Sequence, residues 1–206
     1  MRFGNLLLAL VLLLAGGCAS SGVDLEEPRR LLGTEDGVRV DAQIFTESFG
    51  PGTSLRMTWD ITNERAEPIA VADLVPAVSF EEGERTVVIH LGSEVPGHDL
   101  LPRLVEILPG EKKNFSGVAR LNLNLPPPTP ISPYPRYVQI RVSVLSEVEP
   151  FRVLVGIREN AIADSALADE MFTRWLESVV SIRTNPLPID WMGARRREAE
   201  AARQRF

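Results

Sequence analysis

Between Val38 and Ile157, apolar side chains return at every second position. Val38, Val40, Ala42 and Ile44 alternate with polar partners, as do Leu55, Met57, Trp59 and Ile61. Val87, Ile89 and Leu91 repeat the pattern, followed by the long run Phe115, Gly117, Ala119, Leu121, Leu123 and Leu125. Val138, Ile140, Val142 and Val144 come next, and Phe151, Val153, Val155 and Ile157 close the series. Ile69 to Val78 is mostly apolar and is broken at Pro76. A period of two places each set on one face of a β-strand. The intervals are turn chemistry: Gly50-Pro51-Gly52, Asn63-Glu64-Arg65, Glu82-Gly83-Glu84 and Pro109-Gly110-Glu111. About seven half-buried strands with no helix between them must stack as two sheets. The expectation is a mainly β body at 38–158, an antiparallel β-sandwich with Trp59 as its central aromatic.

The period then lengthens. Asp164 or Ser165 can cap a helix running to about Arg183. Leu167, Met171, Trp175 and Val179 lie four apart, and Phe172, Leu176 and Val180 widen the stripe. Asp169 and Glu170 near the start and Arg183 at the end suit the helix dipole. So broad an apolar stripe belongs against the sandwich, or against a partner or membrane interface. Asn185 to Asp190 is held extended by its two prolines. Arg195 to Phe206, with five arginines and two glutamates, reads as a solvated tail of net charge +3. These segments make 159–206 a C-terminal amphipathic-helix appendage. Upstream, six prolines between Leu125 and Tyr137 stiffen the crossover there. The same stretch could serve as a docking strip flanked by Tyr134 and Tyr137.

At the amino terminus Arg2 precedes Leu6 to Ala15, an unbroken apolar run of ten. Ten helical residues rise only about 15 Å, half a hydrocarbon core, so the run fits a secretory signal rather than a permanent span. It ends in Leu14-Ala15-Gly16-Gly17-Cys18, which resembles the lipobox of bacterial lipoproteins. Ala15 stands where that box usually carries leucine. The resemblance implies a signal peptide at 1–17, cleavage before Cys18, and acyl chains (palmitate among them) on Cys18 as the membrane anchor. Ala19, where an aspartate would retain such proteins in the inner membrane, implies the cell outer membrane, facing periplasm or cell surface. Ala19 to Gly37, without a steady period, is expected to complete a flexible tether at 18–37. Leu108-Pro109-Gly110-Glu111 followed by Phe115 resembles the turn and strand of bacterial Ig-like modules, which makes the sandwich Ig-like.

Charge and residue counts narrow the function. A net charge of −6 argues against a general nucleic-acid binder. One cysteine excludes an internal disulfide and a Cys-cluster zinc site. No G-x-S-x-G and no phosphate-cradling glycine loop occurs. Glu94, His98 and Asp99, with His90 nearby, could hold a hard metal ion only loosely, because their spacing matches no ligand set. The expectation is therefore a non-enzymatic envelope lipoprotein with no cofactor, no metal and no catalytic residue. It would act as a binding or assembly module for another envelope protein or polymer. Alternatives are a periplasmic binder of a small ligand or metal around His90 and His98, and a protease inhibitor acting through the proline-rich loop.

Overall fold

The computed structural model describes residues 29–46, 49–72, 76–92, 103–123, 134–156 and 165–193. Among them run eleven strands: β1 (Arg29–Glu35), β2 (Val38–Ile44), β3 (Ser54–Asn63), β4 (Ile69–Ala72), β5 (Ala77–Glu81), β6 (Thr86–Leu91), β7 (Leu104–Ile107), β8 (Lys112–Arg120), β9 (Tyr137–Leu145), β10 (Val179–Arg183) and β11 (Leu187–Pro188). A 3₁₀ turn spans Glu149–Leu154, and the helix α1 covers Ser165–Ser178.

The fold is mainly β, in two sheets that share one core. The first sheet is β1-β2-β3-β8, antiparallel throughout. The second is β5-β6-β9-β4-β7, with β10 and β11 also on β9. Register explains that branching. β6 lies along residues 137–142 of β9 and β4 along Val144 and Leu145, while β10 and β11 occupy the other edge. The chain leaves β6 at Gly92, whose φ is +75° and whose α-carbon packs against the Ser143 carbonyl. A side chain there would be strained by conformation and by contact alike.

Alternation does what the sequence predicts across most of the body. Val40, Ala42, Leu55, Met57 and Ile61 of the first sheet meet Ile69, Val87, Ile89, Val138, Ile140 and Val142 of the second in one buried cluster. Trp59 is buried and stacks on Phe115, directly opposite it in register, with ring centroids 5.8 Å apart. Gly117 lies beneath that ring: an added β-carbon would sit 3.2 Å from Trp59 Cη2.

Several expectations are corrected. The strands are not about seven and not all antiparallel, since β6 and β9 run parallel. The tether assigned to 18–37 is too long, because Arg29–Glu35 is a strand whose Leu31 is fully buried. Phe151 to Val155 is not a strand. Pro150 opens a 3₁₀ turn that buries Phe151 and Leu154, three apart, and leaves Val153 exposed. The helix ends at Ser178 rather than Arg183, and Val179 passes without a loop into β10. The boundary near 158 also fails, since β10, β11 and Trp191 belong to the body.

The helix itself packs on the body. Met171 and Trp175, four apart, join Ala70, Ala72, Leu104, Leu145, Val148, Phe151 and Leu154 in a second buried cluster. Phe151 meets Trp175 edge to face at 5.8 Å. Leu167 and Leu176 of the expected stripe remain exposed.

Candidate binding surfaces

Three surfaces carry polar chemistry. The first is a groove where the loop before β4 and the loop after β9 lie side by side, brought together by the Ala70–Leu145 pairing. Glu67, Pro68 and Ser146 to Pro150 line it, and its volume is about 440 Å³. Asn63, fully buried at the end of β3, fixes one wall. Its Nδ2 donates to the Glu67 and Ile107 carbonyls at 2.9 and 3.0 Å, and its Oδ1 accepts from the Arg65 N–H at 3.0 Å. Ser146 fixes the other wall, donating through N–H and hydroxyl to the Ser178 carbonyl at 3.1 and 3.0 Å. Glu149 pairs with Arg152 at 3.2 Å. With Glu67 and Glu147 beside it, the groove suits a cationic group such as a lysine or arginine side chain.

The second surface is a strip on the outer face of the second sheet. Ser79 Oγ and the His90 Nε2 lie 2.7 Å apart, on the paired strands β5 and β6. Arg141 on β9 donates to Glu81 Oε1 at 2.5 Å, and Arg183 on β10 lies 3.9 Å from Glu81 Oε2. These contacts tie four strands together through their side chains. Ser79 sits mid-strand in extended backbone, where its hydroxyl locks β5 to β6.

The third surface is the outer face of the first sheet. Arg30, Arg39, Arg56, Lys112 and Arg120 point outward against two carboxylates, Asp41 and Asp60. Arg30 forks onto Asp41, with Nε to Oδ1 at 2.8 Å, and holds that carboxyl below the ordinary range. Asn114 Nδ2 donates to Asp60 Oδ1 at 2.7 Å and Lys112 Nζ to Oδ2 at 3.0 Å. Those two bonds hold the Asp60 carboxyl low as well.

The residues singled out from sequence divide sharply. Cys18, the expected signal peptide at 1–17, most of the expected tether, the residues Glu94, His98 and Asp99, the prolines at 126–133 and the segment 195–206 lie outside the described residues. Among the described residues, no three of His, Cys, Asp and Glu are placed to hold a metal ion. No described helix is long and apolar enough to cross a membrane. Tyr134 packs half-buried on the core and its carbonyl accepts from Arg85 Nε at 3.0 Å, whereas Tyr137 is exposed. Trp175 and Trp191 are buried, so neither is displayed for a partner. Sequence reasoning missed the glutamate groove, because its walls are far apart in the chain and meet only through strand register.

Comparison with known proteins finds no matching family model, no similar curated protein and no similar solved structure.

Proposed function

We propose that this chain is a lipid-anchored protein of a bacterial cell envelope, seated in the outer membrane, that works by binding rather than by catalysis. The observation that carries the reading is the placement of Cys18. The chain's single cysteine closes Leu14-Ala15-Gly16-Gly17-Cys18 directly after a ten-residue apolar run. Two or three acyl chains there would hold the protein far more firmly than one, at about 0.8 kcal/mol per buried methylene. The two facing sheets are read as an enlarged Ig-like sandwich, a scaffold that displays surfaces. The glutamate groove is the surface suited to a basic segment of another envelope protein.

The anchor is tested with Cys18→Ser. Wild type should incorporate labelled palmitate and partition into detergent. The variant should incorporate none and should stay in the inner membrane with its signal uncleaved. Equal palmitate incorporation in both overturns the anchor. Crosslinking in intact cells tests the binding role. Capture of a defined envelope protein, lost on Glu67→Lys with Glu147→Lys, is expected, and no capture above background overturns it.

A further inference from the structure

At one end of the first sheet's outer face, the row Phe45, Arg56 and Val118 crosses β2, β3 and β8. Arg56 pairs with Val118 in register, and the Phe45 N–H donates to the Arg56 carbonyl at 3.0 Å. Arg120 stands on the same face, opposite Ser54. Phe45 is 50% exposed and Val118 47%, and Arg56 and Arg120 are exposed too. The cations farther along this face, Arg30 and Lys112, are matched to Asp41 and Asp60. Among the described residues, Arg56 and Arg120 face no acidic partner. Two bare arginines flanked by two exposed apolar side chains have the composition of a membrane-interface contact.

The location of the row gives it a target. β1 begins at Arg29, level with Ile44, Met57 and Gly117. The row Phe45–Arg56–Val118 is the next one outward, so it lies at the end of the sheet where the chain arrives from Cys18. Only ten residues, Ala19 to Pro28, separate Cys18 from that strand. Even fully extended, they span no more than about 40 Å. Residues 191 and 192 also lie at this pole. Phe49 bridges Trp191, the Met192 N–H donates to the Phe49 carbonyl at 2.6 Å, and the Arg29 guanidinium lies over the Phe49 ring.

We infer that this end of the first sheet rests on the bilayer, with Arg56 and Arg120 on anionic lipid headgroups and Phe45 and Val118 at the interface. The orientation rests on the lipid anchor at Cys18. It directs the outer face of the first sheet toward the membrane at the Phe45–Val118 end and leaves the rest of the body projecting from it. Charge attraction fades within about 8 Å at physiological salt, so it acts once the tether has brought this end of the sheet to the bilayer. Each arginine at an anionic surface contributes about a five-fold factor in occupancy, the equivalent of about 1 kcal/mol.

The test uses the full lipidated protein on vesicles of phosphatidylcholine, with and without phosphatidylglycerol. Acylation of Cys18 leaves Val118→Cys as the one free thiol for an environment-sensitive dye. Thr34→Cys, exposed on the same face at the opposite end, is the control. The Val118 dye should be quenched by headgroup-bound spin labels on anionic vesicles, and the Thr34 dye should not. Arg56→Glu with Arg120→Glu should reduce the Val118 quenching to the Thr34 level while flotation persists. Equal quenching at both sites, or none at Val118 in protein that floats, overturns the orientation and leaves the anchor standing. Failure to float with neutral vesicles overturns the anchor, and the orientation with it.

Discussion

Asn185 holds the edge of β1 through a single residue, Leu32. The Asn185 N–H donates to the Leu32 carbonyl at 2.8 Å, and the Leu32 N–H donates to Asn185 Oδ1 at 2.6 Å. A side-chain amide thus completes a pairing that a strand would make with backbone alone. One residue earlier, Thr184 bonds Ile140 of β9 through both its own N–H and its hydroxyl, each at 3.0 Å. Residues 184 and 185 therefore stitch the first sheet to the second along one side of their shared core, and β1 is built in.

Gly33 makes that seam possible. A β-carbon at Gly33 would lie 2.5 Å from the Arg183 carbonyl oxygen, a backbone atom that cannot swing aside. Gly33→Ala should force the seam apart and cost about 1–3 kcal/mol in urea denaturation. Gly83→Ala, with nothing within 4 Å of its added carbon, is the matched control and should change stability by well under about 1 kcal/mol. Equal midpoints for the two variants would refute the close approach.

Trp175 seals α1 onto the second sheet. It is 2% exposed, against 50% for its neighbour Leu176. Trp175→Ala should cost about 3–5 kcal/mol, because Trp175 is the largest side chain by which the helix enters the second buried cluster. Leu176→Ala should stay within about 0.5 kcal/mol. Near-ultraviolet circular dichroism should report the loss of the Phe151–Trp175 contact in the first variant alone. A helix reserved for a partner would give two similar, small effects.

These contrasts mark what the sequence discloses. Strands such as β2 and β3 were legible because their inward positions carry apolar side chains, Asn63 at the end of β3 apart. β1 was not: its inward residues are Arg29, Leu31 and Gly33, one apolar group among three, and the glycine is there for backbone contact. At Val179 and Val180 the helical and strand periods coincide for a few residues. The open edge of β9 decides between them, and register information of that kind is absent from local pattern. Phe151 to Val155 showed the converse. Its alternation was real, but Pro150 and the three-residue spacing of Phe151 and Leu154 dictated a 3₁₀ turn. Of the candidate surfaces, the basic excess on one sheet face could have been read by counting outward positions of the strands. The glutamate groove could not.

Asn63 is the polar residue on which the groove depends. Three backbone groups lose their partner if its side chain is removed: the carbonyls of Glu67 and Ile107 and the N–H of Arg65. Of these the Ile107 bond is buried and the other two are partly open to water; an unsatisfied buried group costs about 1–3 kcal/mol, so Asn63→Ala should destabilise the fold by about that much. Hydrogen exchange should rise first at the Arg65 amide. Protection there equal to wild type would show that the turn holds without Asn63.

Asp41 and Asp60 lie directly opposite each other on β2 and β3, an arrangement that would repel if left bare. Arg30 offsets the first carboxylate, and Asn114 and Lys112 the second, so both carboxyl groups titrate below the usual aspartate range. A carboxyl whose folded value is depressed stabilises the fold above its unfolded value, near pH 3.9. That stabilisation is lost as pH falls through the folded value. Urea stability of the wild type should therefore decline on acidification from about pH 5. Asn114→Ala removes the largest contributor at Asp60 and should bring that carboxyl back toward the ordinary range, while Asp41, governed mainly by its Arg30 hydrogen bond and only weakly by the Asp60 charge, should move far less. Carboxyl-carbon NMR titration separates the two residues. The variant should also lose less stability between neutral and acid pH than the wild type, since less of its stability depends on that ionised form. An unmoved Asp60 titration in Asn114→Ala would show that the amide does not govern this site.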